Sequence, residues 1–434
     1  MKRFKLSLGF ICSICVCIIL ISSIKKTSVC EEDYQNDIQE KVEPSPEEIA
    51  LFNAKKQAVD KIVTEYFKKA EHNGDIIGAG ISIVQGDSII YANGVGKRQA
   101  NKDATVDGHT AFRLGSLSKG FAGVLTAAIK QEGLIDFTDP VTSYIPNFQL
   151  GNTNPTTITI EHILSHTAGT PYHSYTDLVE SGMNLFDIAS RFKAVNPISE
   201  PGKLYSYQNA LFALSGAIVE KVTQGSFDNA ITSRFFKPLG MQDASTNHND
   251  FETHGNIALP HRKSKYAWKA LRINNKYDNA IAAGGINASP TDMAKWMRFL
   301  LGHNPEVLTA EVVQKAFEPK VEVKGRSKYY QRWDGHQSSY YGFGWRIHKF
   351  EDETTQELKT VIHHGGSVND YRNEIALFPD EDLGICVLFN SNTRLAQHVI
   401  PDLHKLVKET LERIEGQQQN AAIAELKGKD NKNS

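Results

Sequence analysis

The 434-residue chain has little cysteine, almost no net charge and, beyond its first 24 residues, no long apolar run. Cys12, Cys15 and Cys17 lie within that N-terminal run, which leaves Cys30 near its end and Cys386 in the body. No disulfide framework is therefore available to the domain. A formal net charge of −2 supplies no attraction to a polyanion, so nucleic acid is excluded as an expected partner. No internal repeat is visible. One large mixed α/β core with a leader and a tail accounts for the length.

What is present begins with an export element. Lys2, Arg3 and Lys5 precede a charge-free stretch from Leu6 to Ile24, which predicts a signal peptide or signal-anchor over residues 1–30 and a body outside the cytoplasm, periplasmic or extracellular. The stretch is about long enough to span a bilayer, and no small-residue cleavage site follows it, so a cleaved leader and an anchor in the membrane both remain open. Thr27, Ser28 and Val29 match a lipobox poorly, and Cys30 reads as a plain thiol. Residues 31–46, acidic and carrying Pro44 and Pro46, read as a flexible stem. The domain is expected over 47–415, and the Gln-, Asn- and Lys-rich residues 416–434 as a disordered tail.

Val59, Ile62, Val63, Tyr66 and Phe67 recur at helical spacing. Ile81 to Val84 and Ser88 to Tyr91, separated by Gln85, Gly86 and Asp87, read as a hairpin. A second strand pair, Glu374 to Phe378 and Gly384 to Phe389, turns at Pro379 to Asp382 and leads into a helix through about Ile414. Between the pairs, Phe121 to Trp296 reads as helix and loop. The expected fold class is mixed α/β of the α+β type: one antiparallel sheet flanked by helices, with a helical insertion.

Three short motifs carry chemistry. Ser116 opens a helix whose apolar stripe is Leu117, Phe121, Val124, Leu125 and Ala128, so Lys119, three residues on, lies on the same face as Ser116. A desolvated lysine can take the proton that makes a serine nucleophilic, and the helix N-terminus offers N–H groups to an oxyanion. The pattern alone is weak, since Ser22 with Lys25 and Ser23 with Lys26 repeat it in the leader. Tyr207 and Asn209 stand in a loop before an apolar helix, where a tyrosine can shuttle a proton and an asparagine can orient lysine and substrate. Tyr34, Tyr91, Tyr277 and Tyr371 begin the same pattern, and Tyr277, in a loop ending at Gly284 and Gly285, is the serious rival. Last come His363, His364, Gly365, Gly366 and Ser367, where glycines admit a close substrate backbone. The Ser367 N–H is expected to complete an oxyanion hole, and His364 to offer a hydrogen bond or a positive charge.

In order and spacing these motifs resemble the class C β-lactamase, D-alanyl-D-alanine carboxypeptidase and serine esterase superfamily, from about Gly78 to Ser391. The stretches Ile163 to Gly169, Gly133 to Asp139, Ala283 to Ser289 and Tyr341 to Trp345 also resemble recurrent segments of that family. The resemblance implies a β-lactamase/transpeptidase-like fold, Ser116 as nucleophile, Lys119 as activator, Tyr207 as general base and acid, and Asn209, His364, Gly365, Gly366 and Ser367 on the substrate. A register beginning at His363 is the alternative. Histidine stands where many class C β-lactamases carry lysine, which shifts weight from β-lactam hydrolysis toward peptidase, amidase or esterase activity.

The implied partner is a small-molecule or peptide substrate, peptidoglycan-derived peptides among them, with no cofactor and no metal. One rival is a penicillin-binding or peptidoglycan-sensing protein without efficient turnover. Another is a metal-dependent hydrolase built on His162, His166 and His173, although no acidic partner completes a zinc motif.

Overall fold

The computed structural model describes residues 43–430 except 266, 353 and 354. The predicted leader and residues 31–42 of the predicted stem lie outside them. Among the described residues no helix is long and apolar enough to cross a membrane.

Period-two alternation builds the sheet. In β1 (Gly78–Gln85), Ala79, Ile81 and Ile83 face one apolar layer, while Val84 faces the other and the Ser82 hydroxyl donates to Pro290 O at 2.6 Å. β1 pairs with β2 (Ser88–Gly96) as the predicted hairpin. The sheet continues through β3 (Val321–Glu322), β4 (His336–Tyr341), β5 (Arg346–Glu351), β6 (Leu358–Val368), β7 (Tyr371–Phe378) and β8 (Leu383–Phe389). Its eight antiparallel strands run in the order β2-β1-β8-β7-β6-β5-β4-β3, so the two ends of the chain meet at β1 and β8. Sequence periodicity reveals the outer hairpins and misses β3 to β6. Their residues, such as His336 to Tyr341, are polar and aromatic without clean alternation.

One face of the sheet is covered by α1 (Pro46–His72), whose Val59, Val63 and Phe67 are fully buried, together with the C-terminal helix, α5 (Val399–Asp430). Burial on that scale contributes about 1.5–3 kcal/mol for each such side chain, and Phe67→Ala would cost about 3–5 kcal/mol. The helix α5 corrects one expectation, because it passes Ile414 and continues to Asp430. A polar composition argues against burial, but Gln, Ala, Glu, Leu and Lys are good helix formers.

The other face carries the helical insertion: α2 (Ser118–Gln131), α3 (Asn209–Thr223) and α4 (Pro290–Leu300), with short helices and two small ribbons between them. The helix α4 starts at a capping box between Ser289 and Asp292, with Pro290 in its first turn. Its Trp296 stacks on Phe121 of α2 with ring centroids 3.9 Å apart. This packing delivers the start of α2 to the edge of β6.

Candidate active site

Ser116 lies in a tight turn, Gly115–Leu117, that runs into α2, and it keeps partial exposure while Leu114, Leu117 and Lys119 are buried. The buried Asn373 amide of β7 pins this turn, donating to Arg113 O at 2.9 Å and Leu114 O at 3.0 Å. The helix α2 is pulled in just as closely. A Cβ on Gly120 would fall 2.4 Å from the Trp345 ring, and one on Gly123 would fall 1.9 Å from Phe343 O. Two glycines inside a helix cost about 0.5–1 kcal/mol each, so close packing, not helix propensity, selects them.

Lys119 Nζ meets three oxygens: Ser116 Oγ at 3.3 Å, Asn209 Oδ1 at 2.8 Å and Ala283 O at 2.6 Å. A neutral amine has two N–H bonds and one lone pair. With the N–H bonds donated to the two carbonyl oxygens, the lone pair is left for the Ser116 hydroxyl. Burial, aided by the Arg346 charge, holds the Lys119 pKa well below the ordinary lysine value and makes the neutral form accessible.

Tyr207 closes the group from the loop before α3. Its phenol is close enough to the Ser116 side chain to interact with it, and the Lys119 ammonium position is 4.9 Å from its ring centroid. The loop is tied to the His166 segment: Ser206 N–H donates to His166 O at 2.9 Å, and Gln208 N–H to His166 Nδ1 at 3.2 Å. Burial pushes the Tyr207 pKa up to about 12, against the contrary pull of the Ser116 side chain. Tyr207 is thus a neutral phenol near pH 7.

The strand β6 settles the register. His364 and Gly366 face the side of the Ser116 turn, whereas His363 faces away and bonds Glu374 Oε2 at 2.8 Å and His348 at 3.2 Å. A Cβ on Gly366 would fall 2.2 Å from Leu114 O. Gly115, at φ +57°, lies against Ser367 in the same manner, with 2.9 Å from its virtual Cβ to the Ser367 backbone. The Ser116 and Ser367 amides therefore stand on adjoining segments. β6 pairs with β5 only as far as His363, so the edge from His364 to Val368 is free of a neighbouring strand on that side.

His364 differs from the sequence expectation. Its Nδ1–H donates to Gly365 O at 2.8 Å and its Nε2 accepts from the Tyr341 hydroxyl at 3.0 Å. Burial holds the ring neutral, so it supplies no positive charge and instead braces the strand. A cation that sequence reasoning missed, Arg346, lies near this group. Its buried Nε and Nη1 have no hydrogen-bond partner, and its charge acts on Lys119, Tyr207, His166 and His364. The available signal was its place directly after the flagged stretch Tyr341 to Trp345.

Tyr277, the rival tyrosine, stands behind Asn209 and not beside Ser116: its hydroxyl accepts from Asn209 Nδ2 at 3.2 Å. The zinc alternative finds no support here, since His166 packs among Tyr205, Tyr207, Phe212 and Tyr341 and His162 caps a helix at Thr159. Among the described residues no group of three or more His, Cys, Asp or Glu side chains is placed to hold a metal ion.

A family model for Beta-lactamase matches residues 59–407. The chain belongs to the beta-lactamase family. Protein flp of Staphylococcus aureus (strain N315) is 25% identical over 368 residues, covering 82% of this chain and 67% of that protein. A Beta-lactamase of Escherichia coli (strain K12) is 26% identical over 321 residues, covering 67% of this chain and 78% of that protein. Among solved structures, an octameric penicillin-binding protein homologue from Pyrococcus abyssi aligns with a TM-score of 0.66 at 22% identity, over 80% of this chain and 77% of that one. That likeness shows the fold: a large antiparallel sheet flanked by helices. The beta-lactamase family supports serine-hydrolase chemistry in broad terms.

Proposed function

We propose that the protein is a serine hydrolase that forms an acyl-enzyme on Ser116 and cleaves amide or ester bonds in carboxylate-bearing substrates. The class comprises β-lactams, D-amino-acid peptides such as those derived from peptidoglycan, and esters. The observation that carries this reading is the placement of Lys119 Nζ between Ser116 Oγ and the two carbonyl oxygens of Asn209 and Ala283. Arg346 supports an anionic substrate, because its guanidinium lies over the Tyr330 ring at 4.9 Å with Nε and Nη1 lacking a hydrogen-bond partner, and a carboxylate would satisfy those donors. The basic residues ahead of the Leu6 to Ile24 run support export, so that substrate is met outside the cytoplasm.

Ser116 Oγ attacks the carbonyl carbon as its proton passes to Lys119 Nζ, and the oxyanion is held by the Ser116 and Ser367 amides. The proton then moves through the Tyr207 hydroxyl to the leaving nitrogen or oxygen as its bond to carbon breaks. Water then gives its proton to the same pair and attacks the acyl carbon; as the bond to Ser116 Oγ breaks, Oγ takes that proton back and the acid is released.

The test is labelling of the purified protein and its Ser116→Ala variant with a fluorescent penicillin and a fluorophosphonate, beside hydrolysis of a D-amino-acid peptide, a cephalosporin and a short acyl ester. Labelling and hydrolysis should both vanish in the variant. Undiminished labelling there would refute Ser116 as nucleophile, and a stable wild-type adduct without product would mark a binding protein.

A further inference from the structure

Behind Asn209 a hydrogen-bonded chain leads from the nucleophile's lysine to the surface. Asn209 Nδ2 donates to the Tyr277 hydroxyl at 3.2 Å, the Tyr277 O–H points to Glu180 Oε1 at 3.5 Å, and Lys276 Nζ donates to Glu180 Oε2 at 2.6 Å. Glu180 ends the short helix Thr176–Glu180, within the loop from Tyr172 to Val195. Tyr277 follows the loop from His254 to Lys276. The chain thus joins two loops that differ in sequence position and share no strand.

The seat of Tyr277 is built at some cost. Its backbone is left-handed, φ +69°, which costs an aromatic residue roughly 1–2 kcal/mol. A Cβ on Gly284 would fall 2.8 Å from its ring, and one on Gly285 would fall 2.7 Å from its carbonyl oxygen. Arg113, three residues before Ser116, fixes the loop by donating to Asn274 O at 2.5 Å and Lys276 O at 2.6 Å. Strain sustained by this much surrounding structure points to a role beyond packing.

We propose that Glu180 and Tyr277 are positioning residues that hold the Asn209 amide with its oxygen toward Lys119, so that the two loops govern the activation of Ser116. The reason lies in hydrogen-bond direction. A phenol both donates and accepts, and left alone its hydrogen can turn to either end of an amide. The Glu180 carboxylate attracts that hydrogen, and the Tyr277 oxygen becomes an acceptor only. Asn209 must then present N–H to Tyr277 and oxygen to Lys119, with its second N–H left for a substrate carbonyl. This inference rests on the serine-hydrolase reading.

The variants Tyr277→Phe and Glu180→Gln test it, with the fluorophosphonate acylation rate of the full chain followed from pH 5 to 9. Lys119 is faced by Ser116, Tyr207, Asn209 and Arg346, and its charge also reaches His166, His173 and His364. None of these residues is itself substituted in either variant. Losing the oriented oxygen removes an acceptor that favours the ammonium, so the neutral amine persists to lower pH.

Tyr277→Phe should reduce the maximal rate about three- to tenfold, the range of one hydrogen bond, and move the acid limb of the profile to lower pH. Glu180→Gln, on the exposed side, should move that limb in the same direction by less. A loss of folded protein alone would lower the rate without moving the limb. Both variants retaining the wild-type acid limb would overturn the relay while leaving the hydrolase reading intact. A wild-type protein inert to the fluorophosphonate would overturn both.

Discussion

Gly366→Ala tests the contact on which the oxyanion site depends. Its methyl would lie 2.2 Å from Leu114 O and 2.7 Å from Leu117 Cδ1, where ordinary contact begins near 3.4 Å. Leu114 O cannot yield, because the Asn373 amide already holds it at 3.0 Å. β6 must therefore part from the Ser116 turn by roughly 1 Å, a misplacement that costs on the order of 100-fold when it falls on reacting groups. The overpacking itself should cost about 1–3 kcal/mol of stability. The assay pairs the fluorophosphonate acylation rate at saturating folded fraction with urea unfolding. Gly133→Ala serves as control: Gly133 also has a positive φ, +75°, but nothing lies within 4 Å of its virtual Cβ. It should lose stability by backbone strain alone and acylate at the wild-type rate. Acylation by Gly366→Ala within threefold of wild type would refute the claim that this glycine sets the register between strand and nucleophile.

Two further outcomes follow from the buried charges. Arg346→Gln should lower kcat/KM about 10- to 100-fold for substrates bearing a carboxylate near the scissile bond, and less than about threefold for an uncharged ester; equal losses on both would remove Arg346 from substrate binding. Burial depresses the pKa of His166, His348, His363 and His364 well below the usual histidine value. Their contribution to stability is thus present above the unfolded value near 6.5 and is lost as pH falls below it. Glu374, whose pKa is raised by burial, shifts stability the opposite way and offsets part of this. Urea midpoints should fall steeply between pH 6.5 and 5, and a flat profile would contradict the neutral, buried assignment of these rings.

The outer architecture was legible because periodicity reports burial. Val59, Val63 and Phe67 keep helical spacing, and both terminal hairpins keep an apolar face, so α1, β1, β2, β7 and β8 stand where the pattern puts them. The middle strands were not legible, since residues such as His348 and His363 are buried in a hydrogen-bonded network and look like surface in sequence. The same blindness made α5 seem to end early, because polarity was taken for disorder.

Sequence alone determined that Ser116 and Lys119 lie close together, for that needs only a three-residue spacing at the start of a helix. It left both His363 and His364 open as the residue facing Ser116. Tertiary structure decided the rest. Which tyrosine lies near Ser116, whether His364 is charged, and how close Arg346 stands to Lys119 all depend on groups brought together across loops and strands far apart in the chain. Burial and hydrogen-bond direction at such meetings are properties of neighbours in space, and no local pattern encodes them.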